Sequence, residues 1–242
     1  MSARPAPVTW PGGVISFTFD DFPESALAAG GDILEGYGAR GTYYASLKSP
    51  RSDRLRPGFH EDIRAAHRAG HEIACHTYTH PDLHRMTRRM ILAEGPQQRR
   101  RAFLPHRGLS PDKFRLSLRL RIDNSQTRAG ILVLVVPRID RGINHGLVDL
   151  ADLLAVPLYA EYFDVADMRR LIDRACSLDG WLIFFTHDVT GTPSPFGCKP
   201  GQLEAVVAYA TERATILPVR DVIVGFPISI RSPEGAFLSV KL

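Results

Sequence analysis

The chain alternates two kinds of apolar pattern along most of its length. Segments dense in β-branched and aromatic residues predict strands at 13–19, 40–47, 71–76, 156–163 and 180–187. Segments with helical spacing of apolar residues, some ended by glycine, lie at 25–38, 60–70, 165–178 and 199–214, and residues 215–223 close the series. Because strands alternate with helices and no repeat or linker divides the chain, the pattern predicts one α/β domain over residues 1–242, with a parallel sheet that is open or closed into a barrel.

Residues 95–138 break this alternation. They show no helical period, and only 131–137 is a weak strand candidate. They hold nine Arg and one Lys against two Asp, a net charge of +8, whereas the rest of the chain has 20 basic and 24 acidic residues, a net charge of −4. The basic pI of about 9.1 therefore belongs to one segment. A chain that is mildly acidic elsewhere is not expected to bind nucleic acid.

Composition narrows the class of protein further. At 242 residues, with 44% hydrophobic and 23% charged residues, the chain is large enough to bury the core of a globular protein. No apolar run approaches the ~20 residues of a membrane span, and residues 1–13 lack the apolar core of a signal peptide. The three cysteines (Cys75, Cys176 and Cys198) have no disulfide or metal-binding spacing. We therefore expect a cytoplasmic protein without a membrane partner.

Polar side chains stand at the carboxyl ends of three predicted strands. These are Asp20 and Asp21, the sequence HTYTH at 76–80, and His187 with Asp188. In parallel α/β folds the carboxyl ends of the strands form the edge on which active sites are built. Three such clusters on one edge predict a catalytic site there.

The residue types in these clusters indicate metal chemistry. His76 and His80 are four residues apart, so that their imidazoles share one face if the turn between them is helical. Borderline metals such as zinc bind imidazole nitrogen and carboxylate oxygen, and two His with one Asp leave a coordination position open. Of the adjacent Asp20 and Asp21, one can bind the metal while the other takes a proton from water, and the ion relieves their repulsion. The alternative, a carboxylate that caps the next helix, explains only one of the two.

These residues carry a resemblance to a known family. The sequence TFDD at 18–21, HTYTH preceded by GHEIAC, and a late strand that ends in His187 resemble the first, second and last motifs of the polysaccharide deacetylases, the NodB-homology carbohydrate esterases. The similarity spans roughly residues 12–94 and 142–224. It implies a distorted (β/α) barrel, a divalent metal ion that is often zinc, and hydrolysis of an N-acetyl group from an amino sugar or of a related C–N bond.

The resemblance also implies a role for each site residue. By position, Asp20 is the general base, Asp21, His76 and His80 are the metal ligands, and His187 is the general acid that protonates the leaving amine. The substrate partner is then an N-acetylated carbohydrate.

The chain departs from the family pattern in the middle. The third motif, an Arg-x-Pro-Tyr or Tyr-Pro-Tyr-Gly loop whose backbone helps to bind the oxyanion, is not found in the sequence, and the basic segment 95–138 occupies its interval. An Asp-Trp pair that would orient the catalytic histidine is not found either, since Trp181 is a strand residue.

Three accounts of the basic segment follow from the sequence. It is a solvated surface insertion, a phosphate-binding arm, or the product of a compensated frameshift. Codons exist for residues 114–119 that, read one base later, encode Ser-Ala-Tyr-Pro-Tyr and the start of a glycine codon. The nucleotide sequence of the gene discriminates the frameshift from the other two.

The function predicted from the sequence is metal-dependent removal of N-acetyl groups from an amino-sugar oligo- or polysaccharide, impaired if the third motif is lost. One alternative is an amidohydrolase of the same fold that acts on small cyclic amides or ureides. Another is a catalytically inactive metal-binding remnant. Nucleic-acid binding through the Arg-rich segment is a further alternative, which no recognised binding module supports.

Overall fold

The structure is a computed structural model, and it describes residues 6–46, 57–80, 89, 93, 142–148, 153–225, 228–231 and 237–240. The basic segment 95–138, with its weak strand candidate at 131–137, lies outside the described residues. No helix within the described ranges is long and apolar enough to cross a membrane. All three cysteines are free thiols.

The described strands and helices follow the order predicted from the sequence. The strands are β1 (Ala6–Val8), β2 (Val14–Phe19), β3 (Thr42–Ala45), β4 (Glu72–Cys75), β5 (Gly146–Val148), β6 (Val156–Pro157), β7 (Trp181–Thr186), β8 (Thr215–Ile216), β9 (Ile228–Arg231) and β10 (Phe237–Val240). The α-helices are α1 (Asp32–Gly36), α2 (Phe59–Arg68), α3 (Val165–Ser177), α4 (Pro200–Arg213) and α5 (Val219–Gly225). A π-helical stretch, Ala26–Gly31, runs directly into α1, and a 3-10 turn, Ala160–Tyr162, follows β6.

The central sheet is parallel, as the alternation predicts. Its order is β4-β3-β2-β7-β6, and β8 pairs with the first two residues of β2, on a stretch that β3 does not reach. Two antiparallel pairs, β1 with β5 and β9 with β10, lie outside this sheet. The predicted strand 156–163 is too long, because β6 ends at Pro157. The chain turns away there, and the N–H of Ala160 donates to the carbonyl of Gly197 at 2.8 Å instead of to the sheet.

The two faces of β2 differ in polarity. On β2, Ile15, Phe17 and Phe19 belong to the core cluster that also contains buried residues of all the helices except α5. The alternate positions Ser16 and Thr18 point to the opposite face and are also fully buried. Their register partners on β7, Ile183 and Phe185, are buried and apolar, so this inner face is polar on β2 but apolar on β7. The next inner-face position on β2 is Asp20.

The amino end of the inner face is closed by the segment that leads into α5. The hydroxyl of Ser16 donates to the carbonyl of Leu217 at 2.7 Å, and the N–H of Val219 donates to the hydroxyl of Thr42 at 2.9 Å. The buried carboxylate of Glu72 accepts from the hydroxyl of Thr42 at 2.9 Å and from the N–H of Arg220 at 2.8 Å. Buried polar groups of the inner face are thus satisfied at this end. The carboxyl ends of the strands are where the face can meet a substrate.

One close approach fixes the helix that follows the two aspartates. A Cβ atom on Gly30 would lie 2.8 Å from Cε1 of Phe19, closer than side-chain contacts allow. Glycine at this position lets the π-helical stretch lie directly on β2. The predicted helix 25–38 is therefore present, although its first turns have π geometry.

A buried histidine gives the fold a predicted pH dependence. Nδ1 of His71 accepts from the N–H of Gly41 at 3.0 Å and Nε2 contacts Glu35 Oε1 at 3.1 Å, so the ring is bound as the neutral tautomer. Burial lowers the pKa of His71, against the opposing effect of Glu35. In the unfolded chain His71 therefore binds a proton that it does not bind in the folded chain, and the free energy of unfolding decreases as the pH falls below about 6.5.

We expect the free energy of unfolding of the metal-free protein to fall more steeply between pH 7 and pH 5.5 than that of His71→Gln. One histidine contributes at most about 1.4 kcal/mol per pH unit to the slope. Urea unfolding at several pH values measures it, and the comparison cancels the contribution of the other histidines. Equal slopes for the two proteins would refute the assignment of this pH dependence to His71.

Candidate active site

The three polar clusters predicted from the sequence meet at one edge of the sheet. Phe19 is in register with Thr186 of β7, and the N–H of Asp20 donates to the carbonyl of Thr186 at 2.9 Å. Asp20 is therefore level with His187, the residue after Thr186. His76 directly follows β4, and its N–H donates to the carbonyl of Ala45 at 3.0 Å. The pairing of the strands alone brings residues from three distant parts of the sequence to one edge.

Asp21 is the centre of this cluster. Its Oδ1 lies 3.5 Å from Nε2 of His80 and 3.8 Å from Nε2 of His76, and its Oδ2 lies 4.0 Å from Nε2 of His187. The imidazole rings of His76 and His80 are 4.7 Å apart between centroids. All four side chains are about three-quarters or more buried. One carboxylate thus faces three imidazoles at distances that are too long for direct hydrogen bonds.

The turn between His76 and His80 is not helical, so the condition under which helical spacing would put both imidazoles on one face is not met. Thr77 and His80 have φ angles of 63° and 51°, in the left-handed region. The hydroxyl of Thr77 accepts a hydrogen bond from the N–H of His80 at 3.1 Å and closes an irregular turn. The two imidazoles still converge, because this turn folds His80 back over the end of β4.

Backbone strain concentrates at the same place. Four of the five non-glycine residues with positive φ in the described part of the chain are Asp21, Phe22, Thr77 and His80. An L-residue in the left-handed region costs roughly 1–2 kcal/mol, and such residues persist where the surroundings hold them for function. The strain therefore supports a functional role for the turns that carry Asp21 and His80.

The donor set fits a divalent metal ion. The ligand atoms of Asp21, His76 and His80 all lie within 4.8 Å of one another. Ligands ~2.0–2.1 Å from a tetrahedral zinc ion are roughly 3.3 Å apart, close to the separations between Asp21 and the two histidines. Asp21 Oδ1 is buried and accepts no hydrogen bond within the described residues. Burial lowers the pKa of His76 to about 4, so its ring is neutral and offers a lone pair at neutral pH.

The capping alternative for the aspartates finds no support in the contacts. The N-cap of the helical segment is Ser25, and Oδ1 of Asp21 bonds to no N–H group in the described ranges. Helix capping therefore does not account for Oδ1 of Asp21 within the described part of the chain.

Asp20 has the electrostatic character of a general base. Burial raises the pKa of its carboxyl to about 6, the charge of His187 opposes this rise, and the charge of Asp21 adds to it. A base is most effective when its pKa is near the working pH. This pKa supports the predicted role of Asp20 as the general base.

His187 is held mainly through its backbone and its ring contacts. Its N–H donates to the carbonyl of Phe196 at 3.0 Å, and its ring packs 5.5 Å from the ring of Phe196 and 6.4 Å from that of Tyr159. Nδ1 of His187 is buried and has no hydrogen-bond partner in the part of the chain that the structure describes. The sequence likewise lacks an Asp-Trp pair that would orient the ring. In the described part of the chain, aromatic packing orients it instead.

Sequence reasoning missed two tyrosines at the level of Asp20. Pro157 of β6 is in register with Phe185, which sets Tyr159 beside His187, and Tyr43 is in register with Phe19, which sets Tyr44 beside Asp20. The charge of Asp20 contributes to raising the pKa of both hydroxyls, after burial, so both stay protonated. The sequence could have indicated them, because each tyrosine stands two residues after a strand residue whose side chain lies on the inner face.

Comparisons with known proteins address the family resemblance and the fold. The model of the polysaccharide deacetylase family matches residues 8–109. The chitin deacetylase of the fungal pathogen Colletotrichum lindemuthianum is similar in structure, with a TM-score of 0.50, 14% identity, and coverage of 96% of this chain and 94% of that chain. A deacetylase solved with substrate gives a TM-score of 0.51 at 16% identity and covers 94% of each chain. A comparison with curated protein sequences found no match.

These findings confirm the predicted family resemblance and the predicted fold class, a NodB-homology α/β fold with a parallel sheet. At such low identity the structural likeness concerns the fold. The roles of Asp20, Asp21, His76, His80 and His187 stay predictions, which the geometry above supports.

Proposed function

We propose that this chain, of which residues 8–109 match the model of the polysaccharide deacetylase family, hydrolyses N-acetyl groups of an amino-sugar oligo- or polysaccharide with the help of one divalent metal ion, for which zinc is the expected element. The names of the similar structures, among them a chitin deacetylase, support the substrate class. The amidohydrolase alternative has no such support.

One observation carries the proposal. The carboxylate oxygens of Asp21 lie 3.5–4.0 Å from the Nε2 atoms of His76, His80 and His187. Its Oδ1 is buried and accepts no hydrogen bond in the described part of the chain. Asp21, His76 and His80 would hold the ion. When bound, a divalent cation supplies a Lewis acid that polarises the acetyl carbonyl and lowers the pKa of water.

The remaining two residues divide the proton transfers. Asp20 takes a proton from the attacking water, whose oxygen forms a bond to the acetyl carbon. A protonated His187 gives a proton to the amide nitrogen as the C–N bond breaks, and the products are acetate and the free amine of the sugar. The pairing of β2 with β7 sets Asp20 level with His187, which supports the proposal that the two groups serve one reacting amide.

The missing third motif leads us to expect slow turnover. That loop supplies an oxyanion donor in the family pattern, and one such donor is worth about 10²–10³ in rate. The hydroxyl of Tyr159, which the charge of Asp20 helps to keep protonated, is a candidate donor on this edge of the sheet.

A substrate panel tests the substrate class. Acetate release is measured for zinc-loaded protein with N-acetylglucosamine oligomers, O-acetylated xylan and a cyclic ureide, with chelator-treated protein as the control. We expect release from the N-acetylated oligomers, at least about tenfold faster than from the others and lost on chelation. Hydrolysis of the ureide alone would replace this proposal with the amidohydrolase alternative, and no hydrolysis at all with bound zinc would favour a remnant.

A further inference from the structure

An exposed aromatic ring stands beside the proposed catalytic acid. Phe196 is 55% exposed, whereas the described aromatic residues of the core are almost fully buried. Its ring centroid is 5.5 Å from that of His187 and 5.7 Å from that of Tyr159. A single exposed apolar ring is ordinary on a protein surface. What distinguishes Phe196 is that its exposed ring lies against the proposed catalytic acid, His187.

The loop that carries Phe196 is fixed by hydrogen bonds at its base. The carboxylate of Asp188 accepts from the N–H of Ser194 at 2.8 Å and from its hydroxyl at 2.5 Å, and the carbonyl of Asp188 accepts from the N–H of Cys198 at 2.9 Å. A Cβ atom on Gly197 would lie 2.4 Å from Oδ1 of Asp188, so only glycine allows this close packing. The loop is thus built tightly around Asp188.

Two further bonds tie Phe196 itself to the site. Its carbonyl accepts from the N–H of His187 at 3.0 Å, and its N–H donates to the hydroxyl of Ser194 at 3.3 Å. The ring of Tyr159 packs against it at an interplanar angle of 73° and supports it from the side of β6. The exposed ring is therefore held at a defined place next to His187.

We propose that Phe196 is a substrate-binding residue that stacks against the apolar face of a pyranose ring next to the scissile acetamide. This inference rests on the proposed function, and it assigns a specificity-determining contact for that reaction. One face of a pyranose carries axial C–H groups with partial positive charge, and an aromatic face carries negative charge density that attracts them. Stacking there would hold the sugar while its acetamido group reaches His187 and Asp20.

The surroundings favour a sugar over a larger apolar partner. The loop that carries the ring offers polar groups at Asp188, Thr190 and Ser194, and its other residues are small or apolar. A small aromatic surface with polar groups close by suits a ligand with one apolar face and many hydroxyl groups. A lipid or a protein helix would need a wider continuous apolar surface.

Equilibrium binding tests the proposal. The probe is the β-1,4-linked tetramer of N-acetylglucosamine, titrated calorimetrically into the Asp20→Asn protein so that slow hydrolysis does not interfere. Phe196→Ala in that background should weaken binding about tenfold, as expected when one partly buried aromatic contact is lost. Phe196→Trp should keep the affinity within about threefold, because the stacking face is retained.

Leu147→Ala is the matched control. Leu147 is 73% exposed. It follows Asn144, which pairs with Trp181 at the amino end of β7, whereas His187 follows the carboxyl end of that strand. Its truncation should leave the dissociation constant unchanged. Thermal melting of each variant shows that the fold is intact, and recovery of affinity by tryptophan separates stacking from a general loss of structure.

The outcomes separate this inference from the proposed function. Unchanged binding in Phe196→Ala, or no binding of the tetramer by the parent, would overturn the stacking role. If the zinc-loaded native chain releases acetate and Phe196→Ala does so with the same KM, the stacking role would be overturned, whereas the proposed function would stand. Binding that depends on Phe196, without any acetate release by the native chain, would support the stacking role and contradict the proposed function.

Discussion

Replacing His76 and His80 together with alanine should lower the affinity of the chain for Zn²⁺ by more than about 100-fold. Each substitution removes a ligand nitrogen that lies 3.5–3.8 Å from Asp21 Oδ1, and even the outer partners of metal ligands are worth about 10–100-fold in affinity. Competition with a chromophoric chelator measures the dissociation constant, and metal analysis after dialysis measures the bound ion.

A double variant that removes two other histidines is the control for this experiment. His67 lies in the last turn of α2 and His145 is exposed before β5, and neither belongs to the cluster around Asp21. His67→Ala with His145→Ala should keep about one ion per chain. Full retention of zinc by the His76→Ala, His80→Ala protein would remove the metal assignment.

Asparagine at position 20 and at position 21 should produce different defects. Asp20→Asn should keep the metal but lose about 10²–10⁴ in kcat, because an amide cannot take a proton from water. Asp21→Asn should weaken metal binding itself, since Asp21 offers the carboxylate oxygen of the ligand cluster. The measurements are zinc content and acetate release for both variants under the same conditions.

The same pair of variants can show that the two carboxylates have been assigned wrongly. Equal loss of zinc in both would mean that both bind the ion. Loss of zinc in Asp20→Asn alone would exchange the two roles. Burial raises the pKa of Asp20 to about 6, which is compatible with the proposed role as a base.

The site could be predicted because the alternation along a strand continues past its end. Ser16 and Thr18 are buried polar residues on the inner face of β2, and Asp20 is the next position of that face. His187 directly follows β7 and lies on the same face of the sheet as Asp20, because parallel pairing sets the two residues level with each other. The sequence therefore indicates both the face of the sheet on which Asp20 and His187 lie and the edge at which they meet.

The turn geometry at the site could not be predicted in the same way. A spacing of four residues brings His76 and His80 to one face only if the turn is helical, but here the hydroxyl of Thr77 accepts a hydrogen bond from the N–H of His80 and holds an irregular turn. Side chains that bond to the nearby backbone compete with helical hydrogen bonds, and local sequence does not show which bond wins.

The aromatic contacts of His187 were missed because they are non-local. Tyr159 comes beside His187 only through the register of β6 with β7. Phe196 comes there only because Asp188 and Ser194 close the loop between them. Strands as short as β1 and β5, with three residues each, give too few alternating positions for a pattern to be recognised.

If the cluster around Asp21 is a metal-dependent deacetylation centre, activity must follow the bound metal. Metal-free protein is titrated with Zn²⁺ while bound zinc and acetate release from the N-acetylglucosamine tetramer are measured on the same samples. The rate should rise in proportion to bound zinc, reach its plateau at about one ion per chain, and be absent in the titrated His76→Ala, His80→Ala protein. Acetate release by metal-free protein, or an unchanged rate in that double variant, would contradict this assignment of the cluster.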